Sequence, residues 1–167
     1  TFSDSIDGQA VGTTGTLTID AVGDEVILGG DIGENVALAG LNITADFEDN
    51  VGVQLNGNIR TSGDIVMAGG AAPTSITLQT DVSIVSEDGD VILGAVNTQP
   101  GTGLHSLQVS AAGNLSIVSN DDFFVIPAGN VSNLVMTAGA SATLGDNSRD
   151  IIVDGNLVVT SNQTPGT

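Results

Sequence analysis

The sequence predicts an all-β chain wound into a three-sided parallel β-helix of about five coils. Three observations point there. Turn formers dominate, with 23 Gly, 16 Asp and 13 Asn among 167 residues, types that favour turns and disfavour helix interiors. Between them stand short triplets of the form apolar–x–apolar, the mark of many short strands. The triplets also fall into three interleaved series that succeed one another without a break from residue 17 to 159, which is the behaviour of a repeat.

The first series is Leu17–Ile19, Leu41–Ile43, Ile76–Leu78, Leu107–Val109, Leu134–Met136 and Leu157–Val159. The second is Val26–Leu28, Val53–Leu55, Val82–Ile84, Leu115–Ile117 and Ala142–Leu144. The third is Val36–Leu38, Ile65–Met67, Val91–Leu93, Phe124–Ile126 and Ile151–Val153. Each series is expected to build one wall, called here sides A, B and C. Outer members of a triplet point one way and the middle member the other. The outer members therefore fill a shared core, which a single coil could not bury alone. The period drifts from 23 to 35 residues within the first series, so the corners must tolerate insertions. Gly, Asn and Asp between triplets fit corners that need positive φ or tight bends. Insertions concentrate between sides C and A, the longest expected loop being 94–106 with Pro100 and His105.

These elements imply one domain: residues 1–16 as an N-terminal cap or assembly strand, 17–159 as the β-helix, and 160–167 as a linker-like tail. The start, Thr1-Phe2-Ser3-Asp4, lacks an initiator Met and a signal peptide, and suggests a processed chain or a segment of something longer. An antiparallel sandwich also has short strands and frequent turns, but it does not require three interleaved series.

Composition narrows function. Asp and Glu total 20 against two basic residues, Arg60 and Arg149, for a net charge of −18. Such a surface repels phosphate, which argues against nucleic acid and anionic lipid. No apolar run approaches the roughly 20 residues of a membrane helix. With no Cys and a single histidine, His105, thiolate and multi-His metal sites cannot form.

The middle residues of side C, Ala37, Val66, Ile92, Val125 and Ile152, are all apolar. An apolar strip facing outward marks an interface or a surface covered by the chain's own insertions. Side C is thus the candidate surface for packing on another solenoid or protomer.

Several segments carry a family likeness. Residues 17–28 (LTIDAVGDEVIL), 82–93 (VSIVSEDGDVIL) and 107–117 (LQVSAAGNLSI) resemble the repeats of filamentous-haemagglutinin-type exoproteins, over most of 17–159. The resemblance implies a right-handed β-helix, secretion to the bacterial surface or beyond, and a role as adhesin, surface fibre or surface layer. The family's N-terminal secretion signature is not evident.

Candidate chemistry rests on turn carboxylates. Hard oxygen ligands at turns suit calcium, and the candidate ligands are Asp88, Asp90, Asp46 and Glu48. Paired carboxylates such as Asp121 and Asp122 could serve glycoside chemistry, but the chain lacks Trp and Tyr platforms. Four sequons, at Asn42, Asn114, Asn130 and Asn162, are what such a composition yields by chance. The expectation is a non-enzymatic structural surface protein without a cofactor beyond calcium. Its partners would be further copies or a longer solenoid, and a host or cell-surface receptor or glycan. The alternative is a carbohydrate-binding or carbohydrate-active β-helix.

Overall fold

The computed structural model describes residues 1–9, 15–22, 25–46, 52–68, 75–98, 104–117, 131–144 and 155–162. Every named element is a strand, every strand pair is parallel, and the sheets stack as a β-solenoid. The first turn contributes β1 (Thr16–Val22) and β2 (Val26–Leu28), then isolated bridges at Ile32 and Leu38. The second contributes β3 (Gly40–Asp46), β4 (Val53–Leu55) and β5 (Ile59–Thr61). The third holds β6 (Ile65–Met67), β7 (Ser75–Leu78) and β8 (Val82–Ser86), and the fourth β9 (Val91–Leu93), β10 (Ala95–Thr98) and β11 (Leu107–Ala111). The stack continues with β12 (Leu115–Ile117), β13 (Leu134–Ala138), β14 (Ala142–Leu144) and β15 (Leu157–Ser161).

Each turn crosses three walls in the same order. They are a six-stranded sheet β1-β3-β6-β9-β12-β14, a four-stranded sheet β10-β7-β4-β2 and a five-stranded sheet β15-β13-β11-β8-β5. The strands form because apolar–x–apolar puts two side chains inward and one outward. β2, β4, β6 and β12 all show that alternation of buried outer and half-buried middle residues. Inward residues stack in rows. Leu28, Leu55 and Leu78 are register partners in the four-stranded wall. Ile59, Ile84, Val109 and Met136 are partners in the five-stranded wall. All seven are 2% exposed or less. One apolar column therefore runs through the described turns, closed by the turns above and below.

Wall membership differs from the sequence expectation. Leu41, Ile76 and Leu107 were expected on one wall. They lie on the six-, four- and five-stranded walls respectively. The cause is two strands without the apolar–x–apolar signature. β5 reads Ile-Arg-Thr and β10 reads Ala-Val-Asn-Thr. Each occupies a wall position that the triplet pattern passes over, so every later triplet slips by one wall. In β5 the third position is Thr61, fully buried, and its hydroxyl donates to the Gly63 carbonyl at 2.6 Å. One turn further on in the same row, Ser86 is also buried and donates to the same carbonyl at 2.9 Å. Buried hydroxyls are tolerated where they are so bonded. With these strands counted, register partners in adjacent turns are 20 to 27 residues apart, steadier than the sequence period.

The glycines also act differently from the expectation. Among the described residues only Gly33 has positive φ, at 71°. At Gly89 the reason is closeness. A Cβ on Gly89 would lie 2.6 Å from the Asp64 nitrogen of the preceding turn, a separation real Cβ atoms do not tolerate.

Residues 2–8 lie along the first turn. Phe2 bridges Leu28 and Ile6 bridges Ile32, and the Ile6 and Gly8 amides donate to the carbonyls of Asp31 and Val36 at 2.9 and 2.8 Å. The Asp7 carboxylate accepts the Asn35 side-chain amide at 2.8 Å and its backbone N–H at 2.9 Å. These bonds favour the charged form and hold the Asp7 pKa below its ordinary 3.8.

Two outcomes follow. Leu55→Ala opens a void in a fully buried row and should cost about 2–5 kcal/mol, whereas Leu157→Ala, at a side chain 51% exposed, should cost less than about 1 kcal/mol. Urea unfolding of both variants checks the contrast. For Asp7, a depressed folded pKa gives stabilisation that is complete above the unfolded value and is lost as pH falls below it. Hydrogen exchange of the Ile6 and Gly8 amides should accelerate below about pH 3.8, and Asp7→Ala should reproduce that loss at neutral pH.

Candidate functional site

The polar side chains gather at the corners, where the chain passes from wall to wall. At the corner before the six-stranded wall, Asp64 Oδ1 accepts the Asp90 N–H at 2.9 Å, and Asp90 Oδ1 accepts the Asn114 N–H at 2.7 Å. Asn114 Oδ1 in turn accepts the Ser141 hydroxyl at 2.7 Å. At the corner before the five-stranded wall, Asp31 Oδ1 accepts the Asn58 N–H at 2.6 Å and Asn58 Oδ1 the Ser83 N–H at 2.8 Å. Close by, Asp81 Oδ1 accepts the Ser106 N–H at 2.8 Å, and Asn133 Oδ1 the Asn156 N–H at 3.0 Å. Each bond spans 23 to 27 residues, one turn. A corner amide cannot join a strand ladder, and an Asx oxygen from the turn before satisfies it.

Other outward side chains do the same work. Gln79 Nε2 donates to Gln54 Oε1 at 3.0 Å, and Gln54 Nε2 donates to Glu25 Oε1. Arg60 pairs with Glu87 one turn on, at 2.6 Å, both side chains being nearly half exposed. Such an exposed pair contributes little by itself.

The expected calcium ligands do not converge among the described residues. Asp90 is engaged in the corner ladder, with Asn114 Nδ2 also donating to it at 3.3 Å. Asp88 is exposed two residues away. The backbone of Asp46 ends β3, opposite Val22, and Glu48 lies outside the described residues. No group of three or more His, Asp or Glu poised for a metal occurs among the described residues. Asp121 and Asp122 lie outside them as well.

His105 stands before β11, mostly buried. Its Nδ1 is 4.0 Å from Asp81 Oδ1, and among the described residues its Nε2 has no hydrogen-bond partner.

Of the outward apolar residues, Val66 and Ile92 are register partners on the six-stranded wall. Their neighbours along that row are Asn42 and Ser116. Ala37 sits elsewhere, next to the Leu38 bridge to Thr61 of the five-stranded wall. Val125 and Ile152 lie outside the described residues. The described stripe is thus a pair of apolar side chains between polar ones.

The more continuous apolar exposure is at the C-terminal end. In β15, Leu157, Val158 and Val159 are 51%, 46% and 46% exposed. Leu157 and Val159 continue the inward rows of Leu134 and Met136, and among the described residues no further strand covers them. Triplet reading placed these residues in the core and did not single out the end of the stack. No helix among the described residues is long and apolar enough to cross a membrane.

The ladders make one test direct. Asp90→Ala removes the acceptor for the Asn114 amide and should cost about 0.5–1.5 kcal/mol. Asp90→Asn keeps an acceptor oxygen and should cost much less, as read from urea midpoints of the two variants. No protein-family model matches the chain, and neither a curated protein nor a solved structure matches it.

Proposed function

We propose that the chain is a non-enzymatic structural protein, a β-solenoid segment of a bacterial adhesin, extracellular filament or surface layer. The observation that carries this reading is how the polar side chains are used. The corner ladders, the Gln79–Gln54–Glu25 stack and the Arg60–Glu87 pair all tie one turn to the next. Catalysis needs groups of unlike role converging on one point, and these groups are instead strung along the axis. A column of parallel turns, each covered by the next, resists bending and extends in one direction. The surface location draws on the resemblance of the repeats to filamentous-haemagglutinin-type exoproteins.

The test is an electron micrograph of the native material together with a polysaccharide-degradation screen of the purified chain. Rods, fibres or a lattice without turnover support the reading. Turnover of a polysaccharide that is abolished by Asp121→Asn with Asp122→Asn overturns it in favour of a carbohydrate-active solenoid.

A further inference from the structure

The corner between β4 and β5 is Asn56-Gly57-Asn58, and the stack holds it on both sides. The Asn56 N–H donates to the Leu28 carbonyl at 2.9 Å. The Asn58 N–H donates to Asp31 Oδ1 at 2.6 Å, and Asn58 Oδ1 accepts the Ser83 N–H at 2.8 Å. A Cβ at position 57 would lie 2.5 Å from the Gly30 carbonyl carbon of the turn before, so the close approach of the turns demands glycine there. Of the 13 asparagines in the chain, Asn56 is the one that a glycine follows. That pair is reactive. With no side chain on the second residue, its backbone nitrogen has an open approach to the carboxamide carbon of the first, and the reaction is intramolecular.

Whether such a pair reacts in a folded chain depends on how its two groups are held. Three Asx–Gly pairs lie within the described residues. In Asp7–Gly8 the carboxylate is bonded to Asn35 and the Gly8 N–H to the Val36 carbonyl at 2.8 Å. In Asp88–Gly89 the Gly89 N–H is bonded to the Ser86 hydroxyl at 2.9 Å. Asn56–Gly57 differs. Asn56 is exposed, and among the described residues neither its carboxamide nor the Gly57 N–H makes a hydrogen bond.

We propose that Asn56 is a self-modification site, at which the Gly57 nitrogen displaces ammonia from the Asn56 side chain. The Gly57 nitrogen gives up its proton and bonds to Asn56 Cγ. The Cγ–Nδ2 bond breaks, and Nδ2 leaves as ammonia with that proton. Water then opens the five-membered ring, and nothing is oxidised or reduced. Breaking the new bond to Cγ gives aspartate, whereas breaking the bond to the main-chain carbonyl carbon gives isoaspartate. Both products add a negative charge. Isoaspartate also adds a methylene to the main chain between Leu55 and Ile59, which are fully buried in fixed rows. The added length displaces Asn58 from its bonds to Asp31 and Ser83, so the corner loosens.

The test keeps the purified full chain in mildly alkaline buffer, one sample folded and one unfolded in urea. Cleavage after the two basic residues gives peptide 1–60 with Asp7 and Asn56 and peptide 61–149 with Asp88, and fragmentation mass spectrometry locates isoaspartate in each. Compared site by site, Asn56 should convert in the folded chain within about tenfold of its rate in urea, whereas Asp7 and Asp88 should convert only in urea. Asn56→Gln should abolish the early ammonia release. The isoaspartate form, separated by its added charge on an anion exchanger, should unfold at lower urea than fresh Asn56→Asp, which carries the same charge without the methylene. A folded chain that keeps Asn56 intact while the urea sample converts overturns the proposal, as does equal conversion of Asp7 and Asp88 in the folded chain. Ammonia release undiminished in Asn56→Gln overturns it in favour of another site. Equal urea midpoints for the isoaspartate form and Asn56→Asp overturn the loosening of the corner. None of these outcomes bears on the structural reading above, which falls on polysaccharide turnover.

Discussion

The structure depends on one spacing, the roughly 4.8 Å between hydrogen-bonded strands of a parallel sheet. Every turn must repeat at that height on all three walls at once. The inward consequence is that rows such as Leu28–Leu55–Leu78 stack side chain on side chain, and each member is buried by its neighbours. The corner consequence is that backbone meets backbone. Gly89 has no room for a Cβ above Asp64, and the amides there donate to Asx oxygens one turn away. Hydrophobic burial drives the winding, but the spacing decides which residue can stand where.

This constraint also explains how much of the fold could be read in the sequence. Apolar–x–apolar triplets reveal strands whose inward positions are both apolar, which holds for β2, β4, β6, β8 and β12. The all-β, parallel, three-walled architecture follows from them. β5 and β10 were missed because a solenoid wall also accepts Thr at an inward row. Thr61 is buried and its hydroxyl is bonded to the Gly63 carbonyl. A polar residue so satisfied looks like a loop to any reading based on hydrophobic pattern. Two such strands sufficed to move Ile76 and Leu107 onto other walls. A stricter test of constant turn length would have exposed the slip, since the true partners lie 20 to 27 residues apart.

The candidate site was less legible, for a related reason. Asp90 reads as a free turn carboxylate in the sequence, and calcium is a natural ligand for such groups. What the sequence conceals is that its carboxylate has a backbone amide, that of Asn114, waiting one turn on, at a sequence distance no local motif spans. The signal that could have found the ladders is an Asx residue recurring at the turn period, as at Asp64, Asp90 and Asn114. Outward apolar residues misled in the same manner. Val66 and Ile92 are true neighbours, but Ala37 joined them only because the triplet pattern passes over β5, which lies between them.

Stacking also sets a rule for charge. Two carboxylates one above the other at this spacing repel by about 1 kcal/mol even in water, and a solenoid that repeated an acid in every turn would accumulate that repulsion along its length. The described ladders avoid it by passing from charged to neutral oxygens: Asp31 to Asn58 to Ser83, Asp7 to Asn35, and Glu25 to Gln54 to Gln79. Asn58 and Gln54 each keep the acceptor that the next donor needs and drop the charge. Asp64 and Asp90 are adjacent acids, and there the ladder turns neutral at once, with Asn114 and then Ser141. The interchange of Asp with Asn and of Glu with Gln is therefore directed by the geometry of the stack. It lets a strongly acidic chain wind into close parallel turns.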